Sequence, residues 1–336
     1  MNPFKITYIP HSQELLDISF HKTSKLDLKV NPKFSSKKKA RLKEIKRINH
    51  VAQFIKNKII KIVKSFPTFD KLHPFYYELT NILVNVKNVK KLLGSLTGNY
   101  NVIGKILNKA VRRIRSFENP KDIAQERVRF YGRISSIIYR MDKKLEELRN
   151  IRSILIKLPS VSFDIPTIVV AGYPNVGKSS LVKNISSATP KIDYYPFTTK
   201  SINIGYTTFN NLRFQILDTP GLLDRELLKR NKIELQAIIA LKYLAKKIAF
   251  IIDPSETCGY PINNQINLYR EICDFFPKIP ILLIFNKIDL ISKERLEIIL
   301  ENEIFKQSIF FIIATQGKGI PKLLEELFNN IKGKNN

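Results

Sequence analysis

An α + α/β fold is predicted for this 336-residue chain: an N-terminal antiparallel bundle of helices over residues 1–160, then a doubly wound α/β domain over residues 161–336. Two observations carry the prediction. Apolar residues recur every three or four positions through most of the first half, and after Pro159 short Ile/Val-rich runs alternate with helical segments. A third observation separates the halves by charge: residues 1–160 hold 35 basic and 12 acidic side chains (+23), against 22 and 17 (+5) in the remainder. The 44% apolar content is enough to bury two cores, which excludes a wholly disordered chain. Cys258 and Cys273 cannot build a disulfide framework or a four-ligand zinc site, and the four histidines are scattered, so the chain reads as reduced and cytosolic.

Taken in order, the first helical stripe is Leu42, Ile45, Ile48, Ala52, Ile55, Ile59, Ile62 and Phe66, closed by Pro67. A second runs Leu79, Ile82, Leu83, Val86, Val89, Leu93, a third Ile103, Ile106, Leu107, Ala110, Ile114, and a fourth from Ile134 to Leu155. Four helices with short polar or Gly-containing connections most simply make an antiparallel bundle. Six strands follow, at 167–171, 201–208, 214–217, 248–252, 281–285 and 309–314, with helices at 179–185, 227–247, 262–276, 293–305 and 320–331. The segment PSVSFDIP at 159–166 has loop composition and marks the boundary. No apolar run approaches the length of a membrane span, and MNPFKITYIPHSQELLD lacks the apolar stretch of a signal peptide, so the chain is expected to stay inside the cell.

Gly172-Tyr173-Pro174-Asn175-Val176-Gly177-Lys178-Ser179 fits G-x-x-x-x-G-K-[ST] between a predicted strand and a helix, the context a P-loop requires. Its backbone N–H groups, continuing through Ser180, converge on phosphate oxygens, Lys178 brings positive charge to the β/γ-phosphates, and Ser179 ligates Mg²⁺. This motif alone does not separate ATP from GTP. Asn286-Lys287-Ile288-Asp289 follows a buried strand at the carboxyl edge of the sheet. There a carboxylate accepts from both the ring N1–H and the exocyclic amine of guanine, whereas adenine offers an acceptor at N1 and leaves it unpaired, so the base should be guanine. Asp218-Thr-Pro-Gly221 ends another strand, with Asp218 on the Mg²⁺ shell and the Gly221 N–H on the γ-phosphate. Thr199, in Pro196-Phe-Thr198-Thr199, is favoured over Thr198 as the second Mg²⁺ ligand. After the last strand, the N–H of Ala314, beside Thr315, is expected on the guanine carbonyl oxygen.

The basic half places Lys37, Lys38, Lys39, Arg41, Lys43, Lys46 and Arg47 at the start of one helix and Arg112, Arg113 and Arg115 on another. Such clusters read either as phosphate contacts along RNA or as solvated helix faces, and the half-chain excess favours RNA. A membrane-surface or signalling protein whose helices dock on anionic lipid or a protein partner is the competing class; neither terminus carries a lipidation motif.

These residues resemble the TRAFAC class of GTPases, in the Obg-like superfamily that shares G-x-P-N-V-G-K-S and Y-P-F-T-T, and within it the nucleolar GTP-binding protein (Nog) family. The stretches that carry the resemblance are His73-Pro-Phe-Tyr-Tyr, GYPNVGKSS, YYPFTTKSINIG (194–205), ILDTPGLLD (216–224), DPSETCG (253–259) and NKIDL (286–290). It implies a Ras-like P-loop GTPase domain with a mostly parallel six-stranded sheet, a role in large ribosomal subunit assembly, and rRNA as the partner of the basic helices. GTP/GDP and the pre-large ribosomal subunit are then the expected partners, with no membrane and no DNA, in the cytoplasm. The chain ends after the last expected helix, as in a compact archaeal form, and has Ile313 where many relatives place Ser. Many GTPases orient the attacking water with a Gln after the Gly of D-x-x-G; here that position is Leu222, which implies slow intrinsic turnover. Among Lys178, Thr199, Gly221 and Asn175, the expected catalytic set, Asn175 has two readings: a K⁺ ligand, as in related GTPases, or a brace of its own loop.

Overall fold

The computed structural model describes residues 2–186, 191–193, 202–218, 223–224, 238, 240–306, 308–329 and 331, with backbone alone at 191–193 and 202. Thr198, Thr199, Gly221, Leu222 and most of the helix expected at 227–247 lie outside the described residues. The chain divides into two compact units: Pro3–Lys71 with Val84–Ile156, and Met1–Asn2, Leu72–Leu83 with Lys157–Asn336.

The first unit is helical: α1 (Ser12–Ser24), α2 (Ser36–Ser65), α4 (Val86–Ser116), α5 (Pro120–Arg140) and α6 (Asp142–Leu155). The apolar stripe of α2 is its packed face, with Ile48, Ala52, Ile55, Ile59 and Ile62 almost fully buried, each isoleucine contributing about 1.5–3 kcal/mol of apolar transfer. Arg41, early in α2, donates from Nε and a terminal nitrogen to the carbonyl of Phe117 just past α4 (3.2 and 2.7 Å), and Lys56 lies 4.3 Å from the centre of the Tyr100 ring. Those contacts run α2 and α4 antiparallel. Arg113 near the end of α4 meets Glu126 near the start of α5 at 3.6 Å, so that pair is antiparallel as well.

Helix boundaries differ from the four expected. The second stripe crosses a break at Asn85, whose φ of 52° lies in the left-handed region, and this separates α3 (Pro74–Val84) from α4. Asparagine tolerates that conformation, and its side chain caps α4 by accepting from the Asn88 N–H. The third stripe is the continuation of α4, because Gly94, Gly98 and Gly104 lie within the helix instead of ending it. The fourth divides at Met141 into α5 and α6, and α1 is additional.

The second unit holds one seven-stranded sheet in the order β2-β3-β4-β1-β5-β6-β7, made of β1 (Thr167–Ala171), β2 (Lys191–Asp193), β3 (Ile202–Phe209), β4 (Leu212–Asp218), β5 (Ala245–Ile252), β6 (Ile281–Asn286) and β7 (Ile309–Ile312). Six are the expected strands, and the seventh, β2, is too short for any alternation to announce it. β4, β1, β5, β6 and β7 are mutually parallel, while β3 pairs antiparallel with both β4 and β2. β5 begins at Ala245, inside the expected 227–247 helix, because Ala245–Lys247 extend the buried central strand. The described helices of this unit are α3, α7 (Lys178–Ile185), α8 (Ile262–Phe275), α9 (Lys293–Leu300) and α10 (Ile320–Phe328).

α3 groups with the sheet through aromatic packing. His73 stacks on Phe163 with centroids 3.6 Å apart, and the buried Tyr76 hydroxyl donates to the carbonyl of Pro159 (2.7 Å) and accepts from the Val161 N–H (3.3 Å). Buried Gln215 on β4 accepts from the Ser162 N–H at 3.0 Å and donates to Thr167 Oγ1 at 3.0 Å, which seats the chain entering β1. Parallel registers then bring the carboxyl ends of four strands together: Val170 stands beside Asp218, Ala171 beside Phe250, and Ile252 beside Phe285.

Candidate nucleotide site

The β1–α7 turn makes a cleft of about 340 Å³ lined by Pro174, Asn175, Gly177, Lys178, Ser179, Ser180 and Asp224. Its shape depends on two glycines. A Cβ on Gly172 (φ 134°) would stand 2.3 Å from the Ile251 carbonyl oxygen, and one on Gly177 (φ 104°) 2.1 Å from Asn286 Nδ2. The Gly172 N–H is bonded to the Leu223 carbonyl (3.0 Å), and this tie brings Asp224, which the sequence reading did not single out, to the cleft wall. Lys178 is buried and folds over the loop, donating to the carbonyls of Gly172 (2.8 Å) and Tyr173 (2.6 Å). Val176 and Tyr173 turn their side chains into the protein, Tyr173 against Tyr260 (centroids 4.5 Å), so their part in the cleft is played by backbone. Asn175 is held at φ 62° and faces the cleft.

Asp218 at the end of β4 is fully buried. Its Oδ2 accepts from Ser179 Oγ (2.5 Å) and Asn203 Nδ2 (3.0 Å), whereas Oδ1 has no hydrogen-bond partner among the described residues. An orphaned buried carboxylate oxygen beside a hydroxyl is costly for a fold and fits a hard, oxygen-seeking cation such as Mg²⁺. Ser179 and Asp218 are the residues that would hold it.

At the end of β6, Asn286 is buried and turned inward. It donates to the Val176 carbonyl (2.8 Å) and accepts from the Ala314 N–H (2.9 Å), tying the phosphate loop to the segment after β7. The Ala314 N–H is thus engaged by Asn286, while the next N–H, that of exposed Thr315, makes no hydrogen bond among the described residues. Lys287 (φ 61°) donates from Nζ to Asp253 Oδ2 at 2.8 Å, and Asp289 is exposed at the same edge. Asp253, the first residue past β5, was legible only as part of DPSETCG and not as a partner of Lys287.

On the helical unit the expected cations fall into two sets. Lys37 pairs with Glu118, Arg41 with the Phe117 carbonyl and Glu118, Arg47 with Glu44 (2.5 Å) and Arg113 with Glu126, while Lys46 donates to the Lys29 carbonyl and Lys38 lies over the Phe34 ring. Lys39, Lys43, Arg112 and Arg115 have no such partner among the described residues. Lys105, Asn108, Lys109, Arg112 and Arg113 line a surface groove of about 510 Å³ along α4, which adds Lys105 and Lys109 to the residues read from sequence.

A P-loop opening a helix beside a central parallel strand, with an Asn-Lys-x-Asp turn on the same sheet edge, defines a P-loop nucleotide-binding protein of the GTPase class. Residues 4–162 match the NOG1 N-terminal helical domain, and residues 232–289 match nucleolar GTP-binding protein 1. An uncharacterized protein of Methanocaldococcus jannaschii is 43% identical over 259 residues, 77% of this chain and 72% of that one. The nucleolar GTP-binding protein 1 of Drosophila melanogaster is 33% identical over 292 residues, 87% of this chain and 45% of that one. Among solved structures, a Plasmodium falciparum protein described as a nucleolar GTP-binding protein 1 aligns at 36% identity over 50% of this chain and 87% of its own, with a TM-score of 0.43. This chain belongs to the nucleolar GTP-binding protein 1 (Nog) family of GTPases. It spans less than half the length of the Drosophila relative.

Proposed function

We propose that this GTPase is a switch in large ribosomal subunit assembly, binding and hydrolysing GTP in the β1–α7 cleft and contacting rRNA through its basic helices, in the cytoplasm. The observation that supports the reading is the pair of hydrogen bonds that Asn286 makes with Val176 and Ala314, since they tie the Asn-Lys-x-Asp turn to the phosphate loop. Asp289 accepts from guanine N1–H and the exocyclic amine, and the Thr315 N–H meets the guanine carbonyl oxygen. Lys178, Ser180 and the backbone of residues 173–179 take the phosphates. Ser179 and Asp218, with Thr199, would hold Mg²⁺, which would supply charge neutralisation there, and Gly221 would contact the γ-phosphate. Calorimetry against GDP and ADP tests the base: equal affinities would refute guanine recognition.

Leu222 cannot orient water, so intrinsic turnover is slow and the completing group comes from a partner, from RNA or from K⁺ on Asn175. Hydrolysis in K⁺ several-fold faster than in Na⁺ supports the cation; equal rates refute it. For the partner, the +23 excess of residues 1–160 supports RNA. No helix among the described residues is long and apolar enough to cross a membrane. Co-sedimentation with large-subunit precursors is expected, and recovery with anionic vesicles instead would favour lipid docking.

A further inference from the structure

Asp253 stands directly past β5, next to Asn286 at the end of the adjoining strand. It is fully buried, and its carboxylate collects five donors: the Ser255 N–H (3.0 Å) and Oγ (2.5 Å), Thr257 Oγ1 (3.0 Å), the Cys258 N–H (2.8 Å) and Lys287 Nζ (2.8 Å). Thr257 Oγ1 lies a further 3.0 Å from Lys287 Nζ, so the ammonium is gripped from two sides. The grip is itself immobilised, because Gln265 accepts from the Asp253 N–H (2.8 Å) and donates to its carbonyl (3.0 Å). Burial pushes the Asp253 carboxyl upward, but the bonds from Lys287, Ser255 and Thr257 and the Lys287 charge outweigh it and hold the group below the usual carboxylate range.

Lys287 occupies the left-handed region, a conformation that a non-glycine residue keeps only where its surroundings enforce it. That reversal lets Asn286 point inward to the phosphate loop while Asp289, three residues later, is exposed. We infer that Asp253 and Thr257 are positioning residues for base recognition: by anchoring the Lys287 ammonium they set the turn that presents Asp289, so discrimination of guanine depends on a loop outside the nucleotide-binding motifs. The inference rests on the guanine reading of Asn286–Asp289. It goes further in assigning part of the selectivity to residues that do not touch the base.

Inosine diphosphate separates positioning from general support. It keeps the ring N1–H and carbonyl of guanine but lacks the exocyclic amine, so the GDP:IDP affinity ratio reports whether Asp289 reaches both donors. The full chain, D253N and T257V are titrated with GDP, IDP and ADP at fixed Mg²⁺, with thermal unfolding recorded for each. The unchanged protein is expected to favour GDP over IDP by about tenfold or more. T257V is expected to lower that ratio about threefold and D253N to bring it within about twofold of unity, as a base contact made at the wrong distance loses its selectivity. Thr257 is exposed, so T257V carries the test even where D253N does not fold. GDP and IDP affinities falling together at an unchanged ratio, or not falling, would overturn the inference while leaving guanine recognition intact. An unchanged protein that binds GDP, IDP and ADP alike would overturn both.

Discussion

In the proposed function Asp289 is the residue that reads the base. Replacing its carboxylate by an amide removes an acceptor for guanine N1–H and supplies a donor for the second carbonyl of xanthine. Asp289→Asn is therefore expected to weaken GDP about a hundredfold and to favour XDP, read by competitive titration of the two. Asp253 makes a second residue-level prediction, in pH. Its folded pKa lies below its ordinary value near 3.8, so the stability it contributes is fully present above that pH and is lost as pH falls through the lower folded value. Acid unfolding followed by circular dichroism should be shallower below about pH 4 in Asp253→Asn than in the parent protein. Lys178, Ser179, Asp218 and Asn286 were legible from spacing alone, because each belongs to a short motif whose chemistry demands that residue type. Asp224 and Thr257 were not, since one reaches the cleft through a backbone bond of its neighbour and the other acts on a lysine thirty positions away.

Among the elements, the break between α3 and α4 is where periodicity misled. Apolar spacing continues smoothly from Leu79 to Leu93, and hydrophobic pattern carries no information about one left-handed residue within it. Asn85 combines that conformation with the cap of α4, so Asn85→Ala should cost about 1–2 kcal/mol in urea unfolding and Asn85→Gly markedly less. Conversely, Gly94 and Gly98 fall between the second and third stripes, where a Gly-containing connection is expected, yet lie with Gly104 inside a 31-residue helix. Packing of Val89, Leu92, Leu96 and Ile103 outweighs the roughly 1 kcal/mol that each glycine forfeits. The strands were read more closely because buried parallel strands are continuous Ile/Val/Leu/Phe runs bounded by turn residues.

At the scale of the whole molecule, charge is the quantity with consequences. Fixed phosphate contacts release counterions, so affinity for rRNA should fall steeply with salt in a filter-binding or fluorescence titration; affinity unchanged between low and physiological salt would contradict RNA contact. The two sets of cations should separate in that assay. Reversing Lys109 and Arg112, which line the α4 groove, is expected to weaken RNA binding and reduce the slope of log affinity against log salt by about two. Replacing Lys37 and Arg41, whose charges are committed to Glu118 and the Phe117 carbonyl, is expected to lower the unfolding temperature instead.

What the linear order of residues determined was the class of fold, the phosphate-loop motif, the Asn-Lys-x-Asp turn and the basic character of the helical half. All four depend on local pattern or on composition, which the chain carries whether folded or not. Only the tertiary structure decided that α3 groups with the sheet, that the Ala314 N–H is bonded to Asn286, and that Lys287 is gripped by Asp253. The first depends on aromatic packing against the segment that enters β1, and the other two on which strand ends become neighbours, which follows from parallel register between segments far apart in the chain.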